Sequence, residues 1–107
     1  MKTNSLQDRL RIILSDAMLE RIDIQTTAAQ EIRFIVIDVH GLTCKEANRL
    51  INNIVIISKG TCAIEVIHGY RHGTKIKDML RAKKHNTYIK TVVADSFNLG
   101  VTYLNLV

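Results

Sequence analysis

Three of the four histidines are followed at once by glycine, as His40-Gly41, His68-Gly69 and His72-Gly73, and these pairs use three of the five glycines. Two of them close short apolar runs, Phe34-Ile35-Val36-Ile37-Asp38-Val39 and Ala63-Ile64-Glu65-Val66-Ile67. A polar imidazole where a buried strand ends, followed by a residue free to turn sharply, is how a site is built at the rim of a sheet. The carboxylate nearest to these histidines is Asp38, two positions before His40. Residues two apart on a strand share a face, so Asp38 and His40 can converge on one ligand for proton transfer or metal binding. The plainer reading is that Asp38 caps the adjacent loop and His40 donates to a backbone carbonyl.

The segment His68-Gly69-Tyr70-Arg71-His72-Gly73-Thr74 joins the end of a strand to the start of a helix. Backbone N–H groups and the helix dipole favour an anion there. Arg71 can grip a phosphate with two parallel hydrogen bonds, and Tyr70 can stack on a base or sugar. Behind this loop runs a basic block: Arg71, Lys75, Lys77, Arg81, Lys83, Lys84 and Lys90, against the single acid Asp78. Such a block is either a solvated helix face or a surface for polyanions, nucleic acid first among them.

Other chemistries find less in the chain. Asp38, His40, His68 and His72 are of metal-ligating types, but no compact ligand spacing joins them, and two-metal phosphodiester chemistry wants several carboxylates. Glu65 sits three positions before His68, so on a strand it points to the other face. There is no Gly-x-Ser-x-Gly. Cys44 stands at a helix start near His40, where a thiol can be activated, but a half-buried helix-start residue accounts for it as well.

The elements that must position these residues follow from periodicity. Leu6, Leu10, Ile13, Ala17 and Met18 recur at helical spacing and predict a helix over about Ser5 to Glu20. Arg21 to Gln30 lose that pattern and read as a linker. The run Arg33 to Val39 has no polar break before Asp38, so it reads as a strand buried on both faces, hence central or parallel. Thr43-Cys44-Lys45-Glu46 is a capping box opening a helix to about Ser58, with Gly60 as its stop signal. A second strand spans Thr61 to Ile67. Strand, helix and strand in so short a stretch make a right-handed crossover with a parallel pair, which brings His40 and His68 to the same edge. A helix from about Gly73 to Lys83 or Lys84 follows, with Ile76, Met79 and Leu80 inward. Two strands, Tyr88 to Ala94 and Val101 to Leu106, then form a hairpin.

The expected architecture is an α+β two-layer sandwich in βαβαββ order: a mixed four-stranded sheet with two helices on one face and an extra N-terminal helix. Residues 1–31 are the helical extension and linker, and 32–107 the domain. At 107 residues and 47% hydrophobic content, one core is ample. No stretch approaches the roughly 18 apolar residues of a membrane span. The net charge of +5 favours an anionic partner over a membrane, since no aromatic wedge accompanies it. Two scattered cysteines and a polar N-terminus suit a reducing cytosol, so a cytoplasmic location is expected.

Taken together, the motifs resemble those of the small MutS-related (Smr) domain family. Val36-Ile37-Asp38-Val39-His40-Gly41-Leu42-Thr43 looks like its opening Leu-Asp-x-His-Gly signature, with Ala47 where that family usually has alanine. Val66-Ile67-His68-Gly69 looks like its His-Gly-x-Gly motif, Leu80-Arg81 closes the second helix, and Asn98-Leu99-Gly100-Val101-Thr102 resembles its final Gly-x-Thr hairpin. The likeness covers about residues 34–107. Where the second motif usually has its next glycine, this chain has Arg71, with Gly73 two residues on. The resemblance implies a fold similar to the C-terminal domain of translation initiation factor three. It also implies nucleic-acid binding and, as in several family members, a metal-light nicking endonuclease activity on DNA or RNA, with no certain cofactor and room for a divalent metal. Asp38, His40 and His68 would be the catalytic residues. His40 or His68 would be the base or acid, and Asp38 would orient an imidazole. Gly69, Tyr70, Arg71, His72, Gly73, Thr74, Lys75, Lys77 and Arg81 would hold phosphate. The alternative is a non-catalytic module for branched DNA or structured RNA, ribosome-associated in one version. A third reading gives the N-terminal helix a role in self-association.

Overall fold

The computed structural model describes residues 2–26, 29, 32–58, 63–69, 74–83 and 87–106. Helix α1 spans Lys2–Ile13 and a short helix α2 spans Asp16–Leu19. Strands β1 (Ile22–Thr26) and β2 (Ile32–Asp38) follow, then helix α3 (Cys44–Ser58), strand β3 (Ala63–Ile67), helix α4 (Thr74–Ala82) and strands β4 (Ile89–Ala94) and β5 (Val101–Leu106). The class is α+β with one mixed sheet, in the order β1-β2-β3-β5-β4. Among the described residues, β2 and β3 pair in parallel and the other three pairs are antiparallel.

Three expectations are corrected. The sheet has five strands rather than four, because Ile22–Thr26, read as linker, forms β1 and pairs antiparallel with β2. The alternation Ile22-Asp23-Ile24-Gln25 is the signature of a half-buried edge strand: Ile22 and Ile24 pair with the core residues Ile37 and Ile35. The N-terminal helix is two helices, because Ser15, extended at φ −69° and ψ 162°, caps a new turn with its hydroxyl accepting from Met18 N at 3.3 Å. Finally, β2 is buried on one face only. Ile35, Ile37 and Val39 are fully buried, while Phe34, Val36 and Asp38 on the opposite face are half-buried.

The core lies between that one sheet face and the helices. Ile35, Ile37, Ile64, Val66, Ile89 and Leu104 of the strands meet Ala47, Leu50, Ile51, Ile54 and Val55 of α3 and Ile76 and Leu80 of α4. Leu10 of α1 joins the same cluster at 1% exposure, so the N-terminal segment is part of the core. Helix α3 starts where its sequence says it should. Glu46 N donates to Thr43 Oγ1 at 3.1 Å and Thr43 N donates back to Glu46 Oε1 at 3.0 Å, closing the capping box. The stop signal at Gly60 lies outside the described residues. No helix among the described residues is long and apolar enough to cross a membrane.

Candidate functional site

Parallel pairing in register, with Asp38 opposite Ile67, ends β2 and β3 at the same rim. The ladder continues one step beyond them, Val39 N donating to Ile67 O at 2.9 Å. The chain then turns at Gly41, whose φ of 79° is left-handed, and at Gly69, with φ 73°. His40 and Gly69 become neighbours: a Cβ added at Gly69 would lie 3.8 Å from His40 Cβ. The two His-Gly pairs at the strand ends therefore share one rim, but their imidazoles differ in every other respect.

His40 is open to solvent, with a side-chain exposure of 66%. Its Nδ1 lies 2.5 Å from Asp38 Oδ1, and its backbone N donates to the same oxygen at 3.1 Å. A carboxylate oxygen accepts, so Nδ1 is the donor and the ring presents Nε2 outward. The two readings of Asp38 turn out to be one geometry: the carboxylate caps the loop and orients the imidazole with the same atom.

His68 is buried, 3% exposed. Its Nδ1 contacts Gly69 O at 2.7 Å, and a carbonyl can only accept, so that nitrogen carries a proton. Its Nε2 meets Thr102 Oγ1 at 2.9 Å. Both ring nitrogens are thus spent inside the protein. The backbone is tied down as well: His68 N and Gly69 N both donate to Gly100 O, at 2.8 and 3.1 Å. The residues of the last hairpin, Gly100 and Thr102, are in this way the partners of the His68-Gly69 turn.

The rim also gathers the helix starts. Cys44 Sγ donates to Lys75 O at 3.8 Å, which sets the first turn of α4 against that of α3. Along α4, Lys75 and Arg81 are exposed and Lys77 is half-buried. Lys83 is a correction to the basic block. Its Nζ donates inward to Asn48 Oδ1 at 2.7 Å and Asn52 Oδ1 at 2.5 Å, and burial pushes its amine below the usual range. It ties the end of α4 to α3, with its amine turned toward the two asparagines. Tyr70, Arg71, His72 and Gly73 lie outside the described residues, as does the side chain of Thr74. Among the described residues, no three His, Cys, Asp or Glu side chains come together as a ligand set for a metal ion.

Comparison with protein-family models and with curated proteins finds no match. The likeness to the Smr family therefore stands on the motif residues alone.

Two groups near the rim escaped the sequence reading. Arg21, directly before β1, donates from Nη1 to Asp38 O at 3.1 Å and to His40 O at 3.0 Å. Its charge also reaches Glu46, whose carboxyl is held below its ordinary value chiefly by the two Thr43 hydrogen bonds. The β1 alternation was the signal that could have placed Arg21 beside Asp38. The second group is Asp95 with Tyr103. Asp95 Oδ1 accepts from Phe97 N and Asn98 N, at 2.8 and 3.0 Å, and Tyr103 Oη donates to Oδ2 at 2.8 Å. These bonds fix the hairpin that delivers Gly100 and Thr102.

Proposed function

We propose that this chain is a nucleic-acid-binding, Smr-like domain whose Asp38–His40 pair acts on a phosphodiester bond. The observation that carries the reading is the 2.5 Å contact between Asp38 Oδ1 and His40 Nδ1, which leaves Nε2 of an exposed ring facing solvent. A carboxylate that fixes the tautomer and steadies the imidazolium, beside a ring nitrogen free to take a proton, is the arrangement general base catalysis needs. In this proposal His40 Nε2 removes the proton from the attacking hydroxyl or water; as the new P–O bond forms, the bond to the leaving ester oxygen breaks and that oxygen takes a proton from solvent. Lys75 and Arg81 hold backbone phosphates, together with Arg71 and the start of α4. His68 serves as scaffold, in place of the catalytic role first expected for it. The finer fold reading belongs to the same proposal: β2 to β5 with α3 and α4 would be the βαβαββ unit similar to the C-terminal domain of translation initiation factor three.

The test is a nicking assay on supercoiled plasmid and on structured RNA, with and without divalent metal. Wild type should cut one of them, and Asp38→Ala with His40→Ala should lose about 10²–10⁴-fold in rate while binding is kept. Equal cutting by the double variant would overturn the mechanism.

A second reading, a binding module that does not cleave, is favoured by the burial of His68 with both nitrogens engaged, which leaves a single described imidazole for proton transfer. It calls for binding that weakens steeply with salt and for no nicking under any condition.

A further inference from the structure

We propose that Arg21 is a positioning residue of the Asp38–His40 pair, supplied from outside the His-Gly motifs by the segment that leads into β1. The proposal rests on the reading of that pair as the reactive group. Three observations carry it.

The first is where β1 begins. Its register opens with Ile22 opposite Ile37, and Arg21 O accepts from Asp38 N at 2.8 Å. Beyond that point no strand among the described residues flanks β2 on this side. β2 ends at Asp38 and the chain turns at His40, yet the carbonyls of both residues face the same Arg21 nitrogen. They would be left without a ladder partner.

The second is how they are satisfied. One nitrogen, Arg21 Nη1, has two N–H bonds and donates to both carbonyls, at 3.1 and 3.0 Å. A planar guanidinium bridging residues 38 and 40 fixes their relative orientation, and these two residues carry the carboxylate and the imidazole. The planar Nη1 presents its two N–H bonds in fixed directions, which the rotating donors of a lysine ammonium do not.

The third is how firmly Arg21 is itself held. Its backbone N donates to Met18 O at 3.1 Å and its backbone O accepts from Asp38 N, so the residue is anchored on both sides of its Cα. Among the described residues its Nη2 and Nε–H groups make no hydrogen bond, so a fixed positive charge stays at the rim beside His40.

The experiment reads the imidazole directly. Nitrogen NMR of His40 at alkaline pH reports which ring nitrogen holds the proton. In wild type the form protonated at Nδ1 should dominate by about 10:1, and Arg21→Gln should lower this toward roughly 2:1, with Arg21→Lys between them. Unchanged methyl shifts of Ile35 and Ile37 establish that the variant is folded. A wild-type ratio in folded Arg21→Gln overturns the proposal. If that variant does not fold, the guanidinium of wild-type Arg21 decides: bridging slows rotation about Cζ–Nη1 and splits the Nη signals, and a single averaged signal overturns the proposal. Where a nicking activity is present, Arg21→Gln should lower kcat about tenfold with KM within about twofold. Because the tautomer ratio does not depend on cleavage, a chain that never cuts nucleic acid sinks the proposed activity and leaves the Arg21 result standing on its own.

Discussion

Gly100 backs directly onto Gly69: a Cβ at residue 100 would come within 3.1 Å of Gly69 Cα and 3.4 Å of its carbonyl carbon. It would meet the Gly69 backbone first and, at 3.3 Å, Asn98 Oδ1 as well. Gly100→Ala should therefore push the hairpin off the His68 turn and cost about 1–3 kcal/mol. A thermal melt equal to that of wild type would show that the two turns separate without penalty.

Thr102 gives the buried His68 ring its second hydrogen bond. Thr102→Val keeps the shape and removes the hydroxyl, leaving Nε2 buried without a partner, at a cost of about 1–3 kcal/mol. Thr102→Ser should retain most of the stability. Urea unfolding of the three proteins reads the difference, and matched midpoints for valine and serine would remove the bond from the account.

Leu10 measures whether the N-terminal segment is an appendage. It is buried in the same cluster as α3 and the sheet. Leu10→Ala should cost about 2–5 kcal/mol, as for a fully buried leucine, rather than the few tenths typical of a surface helix. Urea unfolding with unchanged midpoint would place α1 outside the cooperative unit.

The Asp95–Tyr103 contact gives a pH dependence at both ends. The bond to Asp95 pushes the Tyr103 hydroxyl from 10.0 up to about 12. A group bound more tightly to its proton in the folded chain adds stability that is complete below pH 10 and lost as pH rises toward 12. Asp95 is held below its ordinary value, chiefly by the Phe97 N–H and then by Tyr103 and Asn98. Its share is present above its unfolded pKa and is lost as pH falls through the folded one. Tyr103→Phe should flatten the alkaline limb, which a series of melts between pH 9 and pH 12 would reveal as a smaller fall in Tm.

Much of the rim was legible in the chain. Asp38 and His40 could be paired from strand spacing, and the capping box at Thr43 and Glu46 fixed where α3 starts. The short connection between the runs Tyr88 to Ala94 and Val101 to Leu106 gave the hairpin. What could not be read was which imidazole stays wet. His40 and His68 sit in near-identical local sequence, and only the long-range approach of Thr102 and Gly100 buries one of them. Lys83 escaped for the same reason: a lysine in a basic run gives no local sign that two asparagines from another helix will receive it. The strand β1 is a different kind of miss. Its alternation was present, but the loss of helical periodicity after Arg21 and the polar run Gln25-Thr26-Thr27 read as a linker.

β1 lies at the edge of the sheet and is laddered on one side only. Edge strands open locally at a lower free energy than the centre, while the rest of the fold stays closed. Each such opening detaches the residue that clasps the Asp38 and His40 carbonyls. The persistence of that clasp is then set by the fraying of a five-residue strand, and a protease or binding partner that captures residues 22–26 would free the Asp38 and His40 carbonyls without unfolding the core.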